Sequence, residues 1–278
     1  MHNLRLVLLG LAACTALILG WSFLQQAARL EDSRVETADR KADAPSATDR
    51  QSTEAIEAER RAIETKLADT PDYLRFFNQL KLVFPGEYDS IMDSLAKKSL
   101  PLTEAPNADL LMSEAVRALR LSRGALAAKA DTPALNHVFD MQLAMMRALS
   151  GDEDQRLCVD FLYGGASRAF FRFSAANRSL MTDMALAGLD AISDGSAKKL
   201  DRPAPNDADF QLLEKALTDK GLKKAEIDAV LDGKAADPPI DDARMCQVGQ
   251  IYLQTLANLP EGPRLRIYAL AVELMARS

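Results

Sequence analysis

The last stretch of the chain, Gly262–Arg277, has almost no polar side. Wound as a helix, it carries Leu265, Ile267, Tyr268, Leu270, Val272, Leu274 and Met275 around most of its circumference; only Arg266, Glu273 and Arg277 make a polar stripe. A helix apolar that far round has to be enclosed by other elements. The rest of the chain must therefore build a shell around its own C-terminus, and truncation there is expected to unfold it. With 278 residues, of which 48% are hydrophobic and 27% charged, the chain has the length and apolar content for such a core.

The shell is written in the same helical period. Thr53–Ala68 is charged and helix-prone, and Ile56, Ile63 and Leu67 form a thin stripe that suits a solvated helix resting one face on the domain. Pro71 opens an apolar helix with Tyr73, Leu74, Phe77 and Leu80, which Pro85-Gly86 is expected to stop. Glu87–Leu100 follows as a shorter helix. Asn107 is placed to cap Ala108–Lys129, where Leu111, Ala115, Leu119 and Leu126 share a face and Glu114, Arg117 and Arg120 lie off it. Thr132-Pro133 starts a Met-rich helix that Gly151 ends. Ala166–Leu200 reads as helical for most of its length after a Gly164-Gly165 break, and the loop Asp201–Asn206 is a candidate subdomain boundary. Asp207–Thr218, Ala225–Leu231 and Asp241–Leu259 complete the set. No alternating period-2 run bounded by turn signals occurs, so no sheet is expected. The fold class is all-α: an irregular bundle of about nine or ten helices by this periodicity.

The bundle is expected to follow an N-terminal transmembrane anchor and a flexible tether. From Leu6 to Leu24 there is no charge, and about 19 residues at about 1.5 Å each nearly cross a hydrocarbon core of roughly 30 Å. Arg5 precedes the run and Trp21 lies near its far end, as in a short inside tail and an interfacial aromatic. Residues 1–24 are read as a signal anchor, 25–52 as the tether and 53–278 as an exported all-helical domain. This gives a single pass through an inner membrane, by residues 4–24, with the C-terminal domain in the periplasm. Leu11-Ala12-Ala13-Cys14 also resembles a bacterial lipobox, so a lipoprotein lipidated at Cys14 is the alternative, although Thr15–Leu24 stays apolar beyond the cleavage point. The stretch Glu31–Ser52 has almost no large apolar residue and cannot bury enough surface to offset its ordering entropy.

Export bears on the cysteines. Cys14 belongs to the anchor, which leaves Cys158 and Cys246 in the body of the chain, both in semi-apolar helical stretches. In an oxidising compartment these two are expected to pair. The bridge would close a loop whose unfolded-state entropy is worth about 4.5 kcal/mol at most.

Little in the chain points to chemistry. Its two histidines, His2 and His137, are a poor supply for metal sites or acid–base work. A net charge of −6 gives no overall pull towards nucleic acid. Ser94-Leu95-Ala96-Lys97 and Ser196-Ala197-Lys198-Lys199 fit S-x-x-K, but the companion elements of penicillin-binding enzymes are missing. Asp190–Gly195 and Asp228–Gly233 share D-x-x-x-D-G, yet Ile192 and Val230 occupy positions where a calcium loop needs oxygen. Both glycines read as helix C-terminal residues. No catalytic, cofactor-binding or metal-binding residue is assigned.

What stands out is aromatic and arginine residues interleaved in two stretches, the composition of interface anchors. One is Arg156–Arg178, with Tyr163, Arg168, Phe171, Arg172 and Arg178; the other is Tyr73–Tyr88, with Tyr73, Phe76 and Phe77. These eight are the candidate partner-binding residues. The expected function is a membrane-anchored, periplasm-facing, non-enzymatic protein that binds an envelope partner protein, as an assembly factor, tethered chaperone or scaffold component. The alternatives are a cell-wall- or lipid-acting enzyme, or a lipid or small-molecule binder with a pocket between Met-rich helices.

Overall fold

The computed structural model describes residues 47–102, 106–151, 155–163 and 167–277. The anchor at 1–24 and the tether as far as residue 46 lie outside the described residues, as do Gly164 and Gly165. Among the described residues there are twelve α-helices and no strand, so the fold is all-helical. No described helix is long and apolar enough to cross a membrane.

Helix α1 spans Ala47–Ala68 and so begins inside the stretch assigned to the tether. No Gly or Pro interrupts Ala47–Ser52, and extending an existing helix is far easier than nucleating one. Ile63 and Leu67 are buried, while Arg60 reaches Asp89 and Asp93 of the neighbouring helix at 3.0 and 2.8 Å. Helices α2 (Pro71–Val83) and α3 (Pro85–Ser99) are separated by Phe84 alone. The helix opened by Pro71 does end before Pro85, as expected, and Pro85 also opens the next helix two residues earlier than read, because a first-turn proline lacks only an N–H that the helix does not use. Helix α4 (Ala108–Arg123) is capped as expected, with Leu110 N–H donating to Asn107 Oδ1 at 2.8 Å.

Two expected long helices are broken. Ala108–Lys129 changes at Gly124 from α4 into a 3-10 segment, Gly124–Lys129. Ala166–Leu200 divides at Asn177 into α7 (Arg168–Ala176) and α8 (Arg178–Lys198). The Asn177 backbone N–H bonds the carbonyls of Phe173 and Ser174, its side-chain amide bonds the Phe173 carbonyl again, and its φ of −123° leaves the helical region. Asparagine competes well for its neighbours' backbone in this way. Between the two breaks lie α5 (Thr132–Ser150) and α6 (Gln155–Leu162).

After α8 come α9 (Asp207–Asp219), α10 (Lys224–Asp232), α11 (Asp242–Ala257) and α12 (Glu261–Arg277). The loop before α9 is stapled to the 3-10 segment: Leu200 N–H donates to Lys129 O at 3.0 Å and Arg202 to Ala128 O at 3.1 Å. Helix α12 is enclosed on most of its circumference, while Leu265, Leu270 and Leu274 are only partly buried. Ile267, Tyr268, Ala271 and Val272 are buried, and the Tyr268 ring stacks on Phe139 with centroids 3.6 Å apart. Its polar stripe is also used, since Arg266 grips Asp209 of α9 at 2.8 and 2.5 Å.

Cys158 of α6 and Cys246 of α11 stand at disulfide distance, with Cα atoms 5.5 Å apart. One turn beyond Cys246, Gly249 lets α11 sit this close. A Cβ there would lie 2.6 Å from Met146 Cε and 3.0 Å from a Leu162 methyl.

Candidate functional site

Helix α8 organises three environments along its length. At its start, Arg178 makes a two-pronged bond to Asp109 of α4, with Nε and Nη2 at 2.8 and 2.9 Å from the two carboxylate oxygens. The same carboxylate accepts from the Tyr73 hydroxyl of α2 at 2.6 Å, and the guanidinium lies 5.9 Å from the Tyr73 ring centre. The bond from Arg178, assisted by the Tyr73 hydrogen bond, holds the Asp109 carboxyl below its usual range despite partial burial. Burial, followed by the Asp109 bond, pushes the Tyr73 phenol well up. A carboxylate with every oxygen engaged and a phenol that stays protonated form a three-helix pin rather than an acid–base pair. Phe171, Ser174 and Met181 join Tyr73 and Asp109 around a small cleft beside this pin.

The structure therefore brings together residues from both aromatic stretches, through a carboxylate the sequence reading did not single out. It also corrects part of the candidate surface. Phe76 and Phe77 are 0% and 2% exposed and belong to the core, and Tyr73 is buried down to its hydroxyl. They cannot meet a partner directly, because their rings face the inside of the α2 turn that packs on the bundle. Tyr163 is partly exposed but sits elsewhere, its hydroxyl 3.4 Å from Ala229 O and 3.5 Å from Met245 Sδ. What remains outward is one face of α7. Phe170 and Phe173 point inward and are buried, while Arg168, Phe171 and Arg172 are exposed, Phe171 to 42%. These three fall at i, i+3 and i+4, one side of the helix. Among the described residues, no carboxylate lies within ion-pair distance of Arg168 or Arg172.

The middle of α8 borders a groove. It lies between α4, the 3-10 segment, α5, α8 and α12, and encloses about 820 Å³ counting its open mouth. Met184, Ile192, Val138, Val272 and Met275 line it, and Phe76 contributes from α2. Gly188 faces it, and a Cβ there would meet nothing within 4 Å. Two polar side chains reach the wall, Gln142 and Arg120. Arg120 was expected to lie off the apolar face of its helix. It is half-buried against the groove instead, and burial, then the like charge of Arg117, lowers its pKa.

At its far end, α8 jams against the 3-10 segment. A Cβ at Gly195 would lie 1.9 Å from Leu126 O and 3.0 Å from Ala130 N. Gly195 is thus a close-approach glycine inside α8, not the C-terminal residue expected; the left-handed terminal position belongs to Lys199, at φ 53°. Gly233, by contrast, is the left-handed cap of α10 that its position predicted, at φ 63°. Lys198 pairs with Asp131 and, at 2.7 Å, with Asp194, and Asp194 accepts the Asp131 backbone N–H at 2.7 Å.

The S-x-x-K serine and lysine of α3, Ser94 and Lys97, are exposed on the helix surface and not in a cleft. Among the described residues, no group of three or more His, Cys, Asp or Glu is placed to hold a metal ion. No family model matches the chain, and no curated protein or solved structure is found to be similar to it.

Proposed function

We propose that this chain is a membrane-anchored protein of the cell envelope, facing the periplasm, that docks a partner protein through the outward face of α7. One observation carries the reading. Arg168, Phe171 and Arg172 share one exposed helical face, and both arginines lack a carboxylate among the described residues, whereas Arg178 in the same stretch is fully engaged by Asp109. An exposed aromatic flanked by uncommitted arginines is the composition of an interface anchor. The charge-free run Leu6–Leu24 supports the membrane attachment, with lipidation at Cys14 as the other means of it. The paired Cys158 and Cys246 suit an oxidising compartment.

Photo-cross-linking in cells tests this. A probe at Phe171 is expected to trap a discrete protein adduct. The same probe at Leu82, which is 76% exposed on α2, serves as the comparison and is expected to trap none. Absence of an adduct from Phe171, or an identical smear from both sites, overturns the docking face. The compartment has its own test: free thiol labelling of Cys158 and Cys246 in the denatured, unreduced protein is the result that removes it.

A further inference from the structure

We infer that the outward face of α7 takes an acidic segment of a partner protein, one that sets two carboxylates on Arg168 and Arg172 and an apolar side chain beside Phe171. The inference rests on the docking role given to this face and names the chemistry of what docks there.

The first support is charge. The chain is acidic overall, with a net charge of −6 and 40 Asp and Glu residues, yet residues 161–182 hold three arginines and no carboxylate. The acids that flank this run are already paired, Asp160 with Arg156 at 3.0 Å and Asp183 with Arg75 at 2.9 Å. Asp109, which reaches the run from α4, is taken up by Arg178 and the Tyr73 hydroxyl. Arg168 and Arg172 are exposed, and among the described residues neither has a hydrogen-bond or ion-pair partner. Positive charge is thus left uncancelled at one place on a net-acidic molecule, and the planar fork of a guanidinium suits a carboxylate.

The second support is spacing. Arg168 and Arg172 stand one helical turn apart, about 6 Å along the axis. Carboxylates two residues apart in an extended segment, or four apart in a helix, recur at about 6–7 Å. Phe171 falls between the two arginines along the chain and shares their side of the helix.

The third support is the cleft beside the pin. Phe171 is exposed and also walls this cleft together with Tyr73, Met112 and Met181, a space of about 400 Å³ counting its mouth. Interface anchors are side chains that fill pockets of this kind. An apolar residue next to the partner's acids therefore has a place to go. An anionic membrane fits this face less well, since lipid-binding basic clusters collect about four to eight Lys or Arg and α7 offers two.

The test uses the full chain in cells, with the photo-reactive probe at Phe171. The cross-linked peptide of the partner, identified by mass spectrometry, is expected to carry at least two Asp or Glu within about four residues of the linked one. Arg168→Glu combined with Arg172→Glu is expected to lower the adduct yield about tenfold or more. Arg168→Lys combined with Arg172→Lys keeps the charge and is expected to retain most of the yield. Arg61→Glu, at an exposed arginine of α1, is expected to leave it unchanged. Where the double Glu variant accumulates poorly, Arg168→Gln combined with Arg172→Gln reads the same effect as a few-fold loss. An undiminished adduct in these charge variants, or a linked peptide without acids, overturns the inference and leaves α7 as a docking face. Equal loss in Arg61→Glu overturns it as well, as do adducts on phospholipid instead of protein. No adduct from the otherwise unsubstituted chain removes the docking face itself, and the inference with it.

Discussion

Two regions of one helix make opposite use of glycine. At the end of α8, Gly195 sits where the Leu126 carbonyl leaves no room for a side chain. Two turns earlier, Gly188 sits where nothing would touch one. The first glycine lets two backbones meet and so fixes the crossing of α8 with the 3-10 segment. The second leaves space between the same elements. A residue type that local reasoning treats as one signal thus marks the tightest and the loosest points of a single wall.

Substitutions with alanine break this comparison most directly. Gly195→Ala drives a methyl into a backbone carbonyl that cannot rotate away. The expected loss is about 3 kcal/mol or more, read as a fall in thermal midpoint or failure to accumulate. A near-neutral result removes the close approach as the reason for this glycine.

Gly124→Ala is the intermediate case. Its Cβ would stand 2.9 Å from Ala276 Cβ on α12. A loss of about 1–3 kcal/mol is expected by chemical denaturation. Because the obstacle is a side chain, Ala276→Gly in the same molecule should restore much of it. Strict additivity of the two changes counts against direct contact.

The pins at the two ends of α8 respond to acid. Asp109, beside Arg178, and Asp131, beside Lys198, both have pKa values lowered in the folded chain. A carboxyl depressed on folding contributes stability that is complete above its unfolded pKa, near 3.8, and is lost as pH falls through the folded value. Denaturant midpoints should therefore hold steady at neutral pH and decline below about pH 4. Arg178→Ala is expected to cost about 1–2 kcal/mol at neutral pH, less than a fully buried pair, because Arg178 keeps 41% of its side chain in solvent. It should also flatten the acid decline. An unchanged profile in this variant would show that the Asp109 pin does not hold α8 in place.

The smallest expected effect has the opposite sign. Gly188→Ala should stabilise the protein by about 0.5–1 kcal/mol, since it removes a helix-interior glycine without a clash. Calorimetry of the two alanine variants side by side is the sharpest form of the comparison: one midpoint falls and the other rises.

Much of the architecture was legible because it is written in local period and composition. The helical period placed most elements, Asn107 marked the start of α4, and the near-continuous apolar circumference of Gly262–Arg277 pointed to a helix packed on most sides, which α12 is, apart from the partly buried Leu265, Leu270 and Leu274. Two body cysteines, read with an apolar N-terminal run that implies export, suggested the approach of α6 to α11. The candidate site was legible only in part. Arg168, Phe171 and Arg172 are on an exposed face, but Phe76 and Phe77 look the same in sequence and are core. Nothing in the sequence tied Asp109 to Tyr73 and Arg178, which lie 36 and 69 positions from it.

That this chain is helical, that its last helix packs on most sides, and where most helices start all follow from composition and from interactions within a few residues. Which glycine is crowded and which is open, the place of Arg120 at an apolar groove, and the closing of one pin by three distant residues arise from packing between helices. Those facts depend on what the neighbouring helix presents at the point of contact, and neither period nor composition encodes that.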